Sequence, residues 1–187
     1  MKRVFIIHGW GGSPDCGWLK WLNEELSKKG FKVYSPDMPD KEFPKIKRWV
    51  GYLKKIVGKV DEDTYFVGHS VGCQAIMRFL ESQHNKSGGV VFVAGWLNLK
   101  NFETQEERDI FEPWIESKID FNKLKNKISK TVALFSDNDP YVKIENSKIF
   151  KERLGAKIII EKNKGHYIED KTFKIPVLLK EFIKLTK

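Results

Sequence analysis

The chain has 187 residues, of which 41% are hydrophobic, 13% aromatic and 32% charged, a balance that suits one folded domain over residues 1–187 and excludes a disordered chain. No apolar run reaches about eighteen residues, so no membrane-spanning helix is expected, and the apolar stretch after Met1-Lys2-Arg3 is too short for a secretory leader, which points to a cytoplasmic protein. The net charge of +9 is even, with +5 in residues 1–90 and +4 in residues 91–187, so it reads as a lysine-rich solvated surface rather than a nucleic-acid footprint.

Val4 to Ile7 is a continuous apolar run, the pattern of a strand covered on both faces. The loop after it, His8-Gly9-Trp10-Gly11-Gly12-Ser13-Pro14, admits two readings. As a dinucleotide cradle it fails at Pro14, where the third glycine of G-x-G-x-x-G belongs. The preferred reading is a loop that bends over the sheet edge and offers the backbone N–H of Trp10 to a developing oxyanion. Trp18, Leu19, Trp21, Leu22 and Leu26 have helical spacing, and Gly30 ends that segment. Phe31 to Ser35 alternates as a second strand, Asp37-Met38-Pro39-Asp40 is a turn, and Ile46 to Val57 carries one apolar helical face.

Thr64-Tyr65-Phe66-Val67 is a third strand, and Cys73 to Glu81 reads as a helix. Between them lies Gly68-His69-Ser70-Val71-Gly72, a Gly-x-Ser-x-Gly on a strand-to-helix turn. Such a turn strains the serine, lifts its hydroxyl above the sheet and aims the first helical N–H groups, Val71 foremost, at the same spot. Gly89 to Ala94 is a fourth buried strand. Residues 98–120 interrupt the rhythm with the polar stretch 101–108 and then Phe111-Glu112-Pro113-Trp114, and read either as a partial lid or as a plain connection. A short helix over Phe121 to Ile128, a fifth strand at Thr131 to Phe135, a helix from Ile144 to Leu154, a sixth strand at Ala156 to Ile160 and a last helix from Pro176 complete the chain. This alternation predicts a parallel, doubly wound α/β sheet with helices on both faces.

Ser70, Asp139 and His166 follow three different strands in that order. A serine hydroxyl needs a base, histidine suits that task near neutral pH, and a carboxylate fixes the imidazole tautomer. Asp137 competes with Asp139 for the carboxylate role; the proline after Asp139 stiffens its turn. His8 and His69 flank glycines in tight loops, and His84 falls on a polar helix end. Trp10, Trp96 and Trp114 are candidates to line an apolar acyl pocket, or simply to pack. No ligand pair has metal-site spacing, and no metal or other cofactor is expected. Cys16 and Cys73 fall in loops near the site and are expected as reduced thiols.

Ile7-His8-Gly9, Met38-Pro39-Asp40, Gly68 to Gly72 with Ala75-Ile76-Met77-Arg78, Pro113-Trp114, Ser136 to Pro140 and Gly165-His166 resemble the small, lidless α/β-hydrolase family that includes retinoblastoma-binding protein 9. The likeness spans essentially the whole chain. It implies a minimal α/β-hydrolase fold, a six-stranded parallel sheet in the order 2-1-3-4-5-6, and a triad of Ser70, Asp139 and His166. The retinoblastoma-binding signature L-x-C-x-E is absent, so that partner is not carried over. The expectation is a serine hydrolase of carboxylic esters or related acyl compounds. The rival readings are a protein-interaction module on the same scaffold and a nucleotide- or nucleic-acid-binding α/β domain.

Overall fold

In the computed structural model, residues 1–100, 102–168 and 172–187 are described. Six strands form one parallel sheet: β1 (Arg3–Ile7), β2 (Lys32–Tyr34), β3 (Thr64–His69), β4 (Gly89–Val93), β5 (Thr131–Ser136) and β6 (Lys157–Glu161). Their spatial order is β2-β1-β3-β4-β5-β6, with parallel register throughout, for example Ile7 beside Gly68 and Gly68 beside Phe92. The central strands β3 and β4 are buried along their whole length because both faces are covered. The edge strands β2 and β6 are short or lysine-bearing and partly exposed, which discourages pairing with a further chain.

Helices α1 (Gly17–Lys28) and α7 (Pro176–Leu185) pack together on one face. On the other face α2 (Ile46–Val57) meets α3 (Val71–Glu81), α3 meets α5 (Phe121–Lys125), and α5 meets α6 (Asn146–Leu154). Every residue of α3 from Val71 to Leu80 is buried, because the helix is enclosed between the sheet and its neighbours. Full burial of one side chain such as Phe66 or Phe79 stabilises the fold by about 1.5–3 kcal/mol.

The turn from β3 into α3 exists because two positions have no β-carbon. A Cβ on Gly72 would lie 2.5 Å from the Ile7 carbonyl oxygen and 2.6 Å from that of His8. A Cβ on Gly68 would lie 2.9 Å from the Cys73 nitrogen. The chain therefore crosses close enough to hold Ser70 at φ 49° and ψ −119°, a conformation that costs an ordinary side chain about 1–3 kcal/mol. Gly72→Ala is expected to lower stability by about 1–3 kcal/mol, since the backbone oxygens cannot move aside. A denaturant midpoint equal to that of the parent would refute this account of the turn.

Several elements differ in extent from the sequence reading. The second strand shrinks to Lys32–Tyr34, and the helix expected from Ile144 starts at Asn146. Its first side chain is turned inward to serve backbone groups of another loop. The segment 98–120 carries α4 (Gln105–Glu116), entered through a capping box in which the Thr104 side chain accepts from Glu107 N–H and Glu107 accepts from Thr104 N–H. Asn101, within that segment, lies outside the described residues. Cys73 sits on α3, not in a loop, and is buried, whereas Cys16 is exposed; both are free thiols. Burial pushes the Cys73 thiol well above its ordinary value, which keeps it an unreactive packing group. Among the described residues no helix is long and apolar enough to cross a membrane.

Candidate active site

In a parallel sheet, the loops leaving the C-terminal strand ends converge on one edge. Here the loops after β1, β3, β4, β5 and β6 bring His8-Gly9-Trp10, Ser70, Trp96, Asp139 and His166 to that edge. Three of these residues form one hydrogen-bonded line. The Ser70 hydroxyl donates to His166 Nε2 at 2.9 Å, and His166 Nδ1–H donates to Asp139 Oδ2 at 2.8 Å. Asp139 is only 4% exposed and Ser70 7%. The other carboxylate oxygen of Asp139 accepts the backbone N–H groups of Tyr141 and Val142, at 2.8 and 2.9 Å. The carboxylate is thereby aimed, with Oδ2 left for the imidazole.

The competing carboxylate, Asp137, points elsewhere. It is exposed, and its Oδ1 accepts from Asn163 N–H at 2.9 Å. Its neighbours act in the same way: Ser136 Oγ accepts from Lys164 N–H and Asn138 Oδ1 from Gly165 N–H, both at 2.9 Å. Three successive side chains from the last residue of β5 onward thus clamp the loop that carries His166. Behind the histidine, the fully buried Tyr167 donates its hydroxyl to the Phe135 carbonyl, and the Trp18 indole donates to the Tyr167 carbonyl. Burial, with Glu161 nearby, pushes the Tyr167 phenol far above its ordinary value, so it stays a neutral donor. His69 Nε2 donates to the His166 carbonyl at 2.8 Å, a second tie on the same loop.

The β1 loop is held just as closely. The Met38 N–H donates to His8 Nε2, so His8 carries its proton on Nδ1 and donates it to the Gly9 carbonyl at 2.7 Å. A Cβ on Gly9 would sit 2.9 Å from His69 and 3.4 Å from the Ser70 β-carbon, so this loop passes directly over the serine. Among the described residues no loop or turn carbonyl takes the backbone N–H of Trp10, and Val71 N–H is the first of the helix α3. The Trp10 side chain folds outward, its indole N–H on the Glu42 carbonyl, and remains 40% exposed.

A cleft of about 200 Å³ opens beside Ser70 and His166. Its walls carry the aromatic residues Trp10, Trp96, Phe102, Phe111 and Tyr141, beside the charged Lys100, Glu103 and Glu107. Phe111 meets Trp10 and Trp96 edge-on, with ring centroids 5.4 and 5.9 Å apart, and lies nearly parallel to Phe102. The expectation for the tryptophans needs one correction. Trp10 and Trp96 line the cleft, but Trp114 does not. The phase of α4 turns Phe111 to the cleft and Trp114 inward, where its indole donates to the Pro44 carbonyl and its ring meets Trp49 edge-on. Phe102 and Tyr141 were not foreseen, because an aromatic residue in an irregular segment carries no periodic signal, and Phe111 was not, because its facing depends on how α4 is rotated. Asn146 was also missed. Its side chain accepts from Leu97 and Asn98 N–H and donates to the Asn98 carbonyl, fixing the loop just beyond Trp96. Among the described residues, no three His, Cys, Asp or Glu side chains are grouped to hold a metal ion.

A six-stranded parallel sheet of this order with a serine on the β3–α3 turn has the α/β-hydrolase architecture. Residues 4–177 match the family model described as serine hydrolase, and the chain belongs to that family. It is 30% identical over 174 residues to YdeN of Bacillus subtilis (strain 168), covering 92% of this chain and 89% of YdeN. It is 24% identical over 169 residues to the serine hydrolase RBBP9 of Rattus norvegicus, covering 88% of this chain and 87% of that protein. The crystal structure of the B. subtilis ydeN gene product superposes with a TM-score of 0.89 at 26% identity, covering 99% of this chain and 98% of that one. Est1E of Butyrivibrio proteoclasticus shares the fold at a TM-score of 0.74 and 16% identity, covering 99% of this chain and 88% of that one.

Proposed function

We propose that the protein hydrolyses carboxylic esters, or closely related acyl compounds, through an acyl-enzyme formed on Ser70. The observation that carries this reading is the continuous line Ser70–His166–Asp139, in which each hydrogen has one donor and one acceptor. The Ser70 oxygen attacks the substrate carbonyl while His166 Nε2 takes its proton, and Asp139 stabilises the imidazolium that results. The oxyanion of the tetrahedral intermediate is received by the N–H groups of Val71 and Trp10. Collapse of the intermediate breaks the bond to the leaving alcohol, which takes the proton from His166. Water then repeats the sequence on the acyl-enzyme and releases the acid and free Ser70. Every step uses groups of the chain itself, so the reading requires no cofactor. It also assigns the protein to the cytoplasm, where free thiols such as Cys16 and Cys73 persist.

The size and aromatic walls of the cleft support a compact apolar acyl group. Each methylene buried there is worth about 0.8 kcal/mol, or about fourfold in kcat/KM. Across a series of straight-chain 4-nitrophenyl esters, kcat/KM is expected to climb by about that factor per carbon and fall once the cleft is full. Phe111→Ala is expected to extend the rising limb to longer chains. A flat series in both proteins would remove the cleft as acyl site. No turnover of any ester, with Ser70 unreactive to a fluorophosphonate, would favour an interaction protein on this scaffold.

A further inference from the structure

The residues that shape the cleft do not all touch it. Helix α4 supplies Phe111 to the wall, yet among the described residues its backbone is not closely packed along any strand or other helix. Its Ile110, Phe111 and Trp114 side chains are buried in the core, and a polar relay ties down its C-terminal end. Two buried polar side chains on α3, Gln74 and Arg78, lie one turn apart on the same face of the helix that begins at Ser70. Gln74 Nε2 donates to the carbonyl of Trp96, the cleft residue that leaves β4. Its Oε1 accepts from Arg78 Nη1. Arg78 Nη2 then donates to the carbonyls of Trp114 and Ser117, at 2.5 and 2.7 Å, at the C-terminal end of α4. Those carbonyls have no intrahelical donor, and a cation suits that end of a helix. The guanidinium also lies over the Trp114 ring, 5.4 Å from its centroid.

We propose that Gln74 and Arg78 are positioning residues that couple the helix carrying Ser70 to the Trp96–Phe111 wall and so set the acyl size the cleft accepts. The inference rests on the reading of the cleft as acyl site. It extends that reading by naming residues that touch neither substrate nor reacting atoms. The arrangement places a charge in the interior, at a desolvation cost that its hydrogen bonds to carbonyls offset. Arg78 is buried and makes no ion pair with a carboxylate among the described residues. The nearest acidic influence is Glu81, whose Oε1 accepts from Asp120 N–H. Burial lowers the guanidinium to about 10, which leaves it charged at neutral pH. The two buried side-chain polar atoms without a partner among the described residues, Arg78 Nε and Trp96 Nε1, belong to the two residues that this relay links through Gln74. An apolar pair on α3 would avoid the buried charge but would leave the Trp96, Trp114 and Ser117 carbonyls without these donors.

The test uses alkyl fluorophosphonates of graded chain length, which phosphonylate an activated serine whatever its natural substrate, beside the ester series. Arg78→Met is expected to slow labelling by the chain lengths that best fill the cleft about tenfold, with the shortest reagent slowed less than threefold. In the ester series KM should rise while kcat is nearly kept. Gln74→Met should do the same with the charge left in place. Arg78→Lys, which keeps charge but loses the planar fork, should restore part of the chain-length selectivity. Amide hydrogen exchange over residues 105–117 should quicken in Arg78→Met while that of α3 stays slow. Equal losses at every chain length, or unaltered selectivity in both Met variants, would overturn the proposal. If Arg78→Met fails to fold, Gln74→Met and Arg78→Lys carry the same comparison. Labelling of Ser70 without ester turnover would refute ester hydrolysis while the reagent series still decides the relay.

Discussion

Ser70→Ala is expected to abolish fluorophosphonate labelling and to lower ester turnover by about 10⁶. The expectation follows from geometry. The hydroxyl is the only part of Ser70 that reaches His166 Nε2, and it is held there by a backbone that an alanine can adopt equally well. Alanine keeps the β-carbon, so the strain at φ 49° is unchanged and melting should match the parent within a degree or two. A residual rate about 10³–10⁴ above the uncatalysed reaction would remain from binding and from the Val71 and Trp10 N–H groups. Labelling that persists at another serine would remove Ser70 from the mechanism.

How much of this could be read before the fold was known depends on the range of the contacts involved. The turn at Ser70 is a local object: a buried strand, two glycines and a helix within a short span, each legible from its neighbours. The parallel sheet is legible for the same reason, because Val4 to Ile7, Val90 to Val93 and Val132 to Phe135 are apolar at every position rather than at alternate ones. The carboxylate was ambiguous. Asp137 and Asp139 lie two residues apart, and what separates them is which oxygen faces His166 and which backbone N–H groups occupy the others. No pattern within one segment encodes that. Trp114 was misplaced because Ile110, Phe111 and Trp114 are all buried, and which of the two aromatics faces the cleft depends on how α4 is rotated, a matter settled by distant partners such as Arg78, Trp49 and Pro44. Asn138 and Asn146 escaped notice for a related reason. Their side chains serve backbone groups in loops far along the chain, and such bonds leave no periodic trace.

The carboxylate pair offers the sharpest test of the mechanism. Asp139→Asn is expected to lower turnover by about 10⁴, and the bonds around the side chain say why. Oδ1 of Asp139 accepts two backbone N–H groups, from Tyr141 and Val142, so in the asparagine the amide oxygen must stay at that position. The amide nitrogen then takes the place of Oδ2, facing His166 Nδ1 at the present 2.8 Å. A donor there obliges Nδ1 to accept, which moves the imidazole proton to Nε2, the atom that must receive a proton from Ser70. The fold should survive, because both turn bonds survive, and melting should shift little. Asp137→Asn should behave in the opposite sense. Its remaining amide oxygen can still accept from Asn163 N–H, so turnover should stay within severalfold of the parent, with any loss appearing in the melting curve. Turnover of both variants measured beside their melting curves separates the two cases. A folded, inactive Asp137→Asn with an active Asp139→Asn would transfer the carboxylate role to Asp137 and require a different path for the proton.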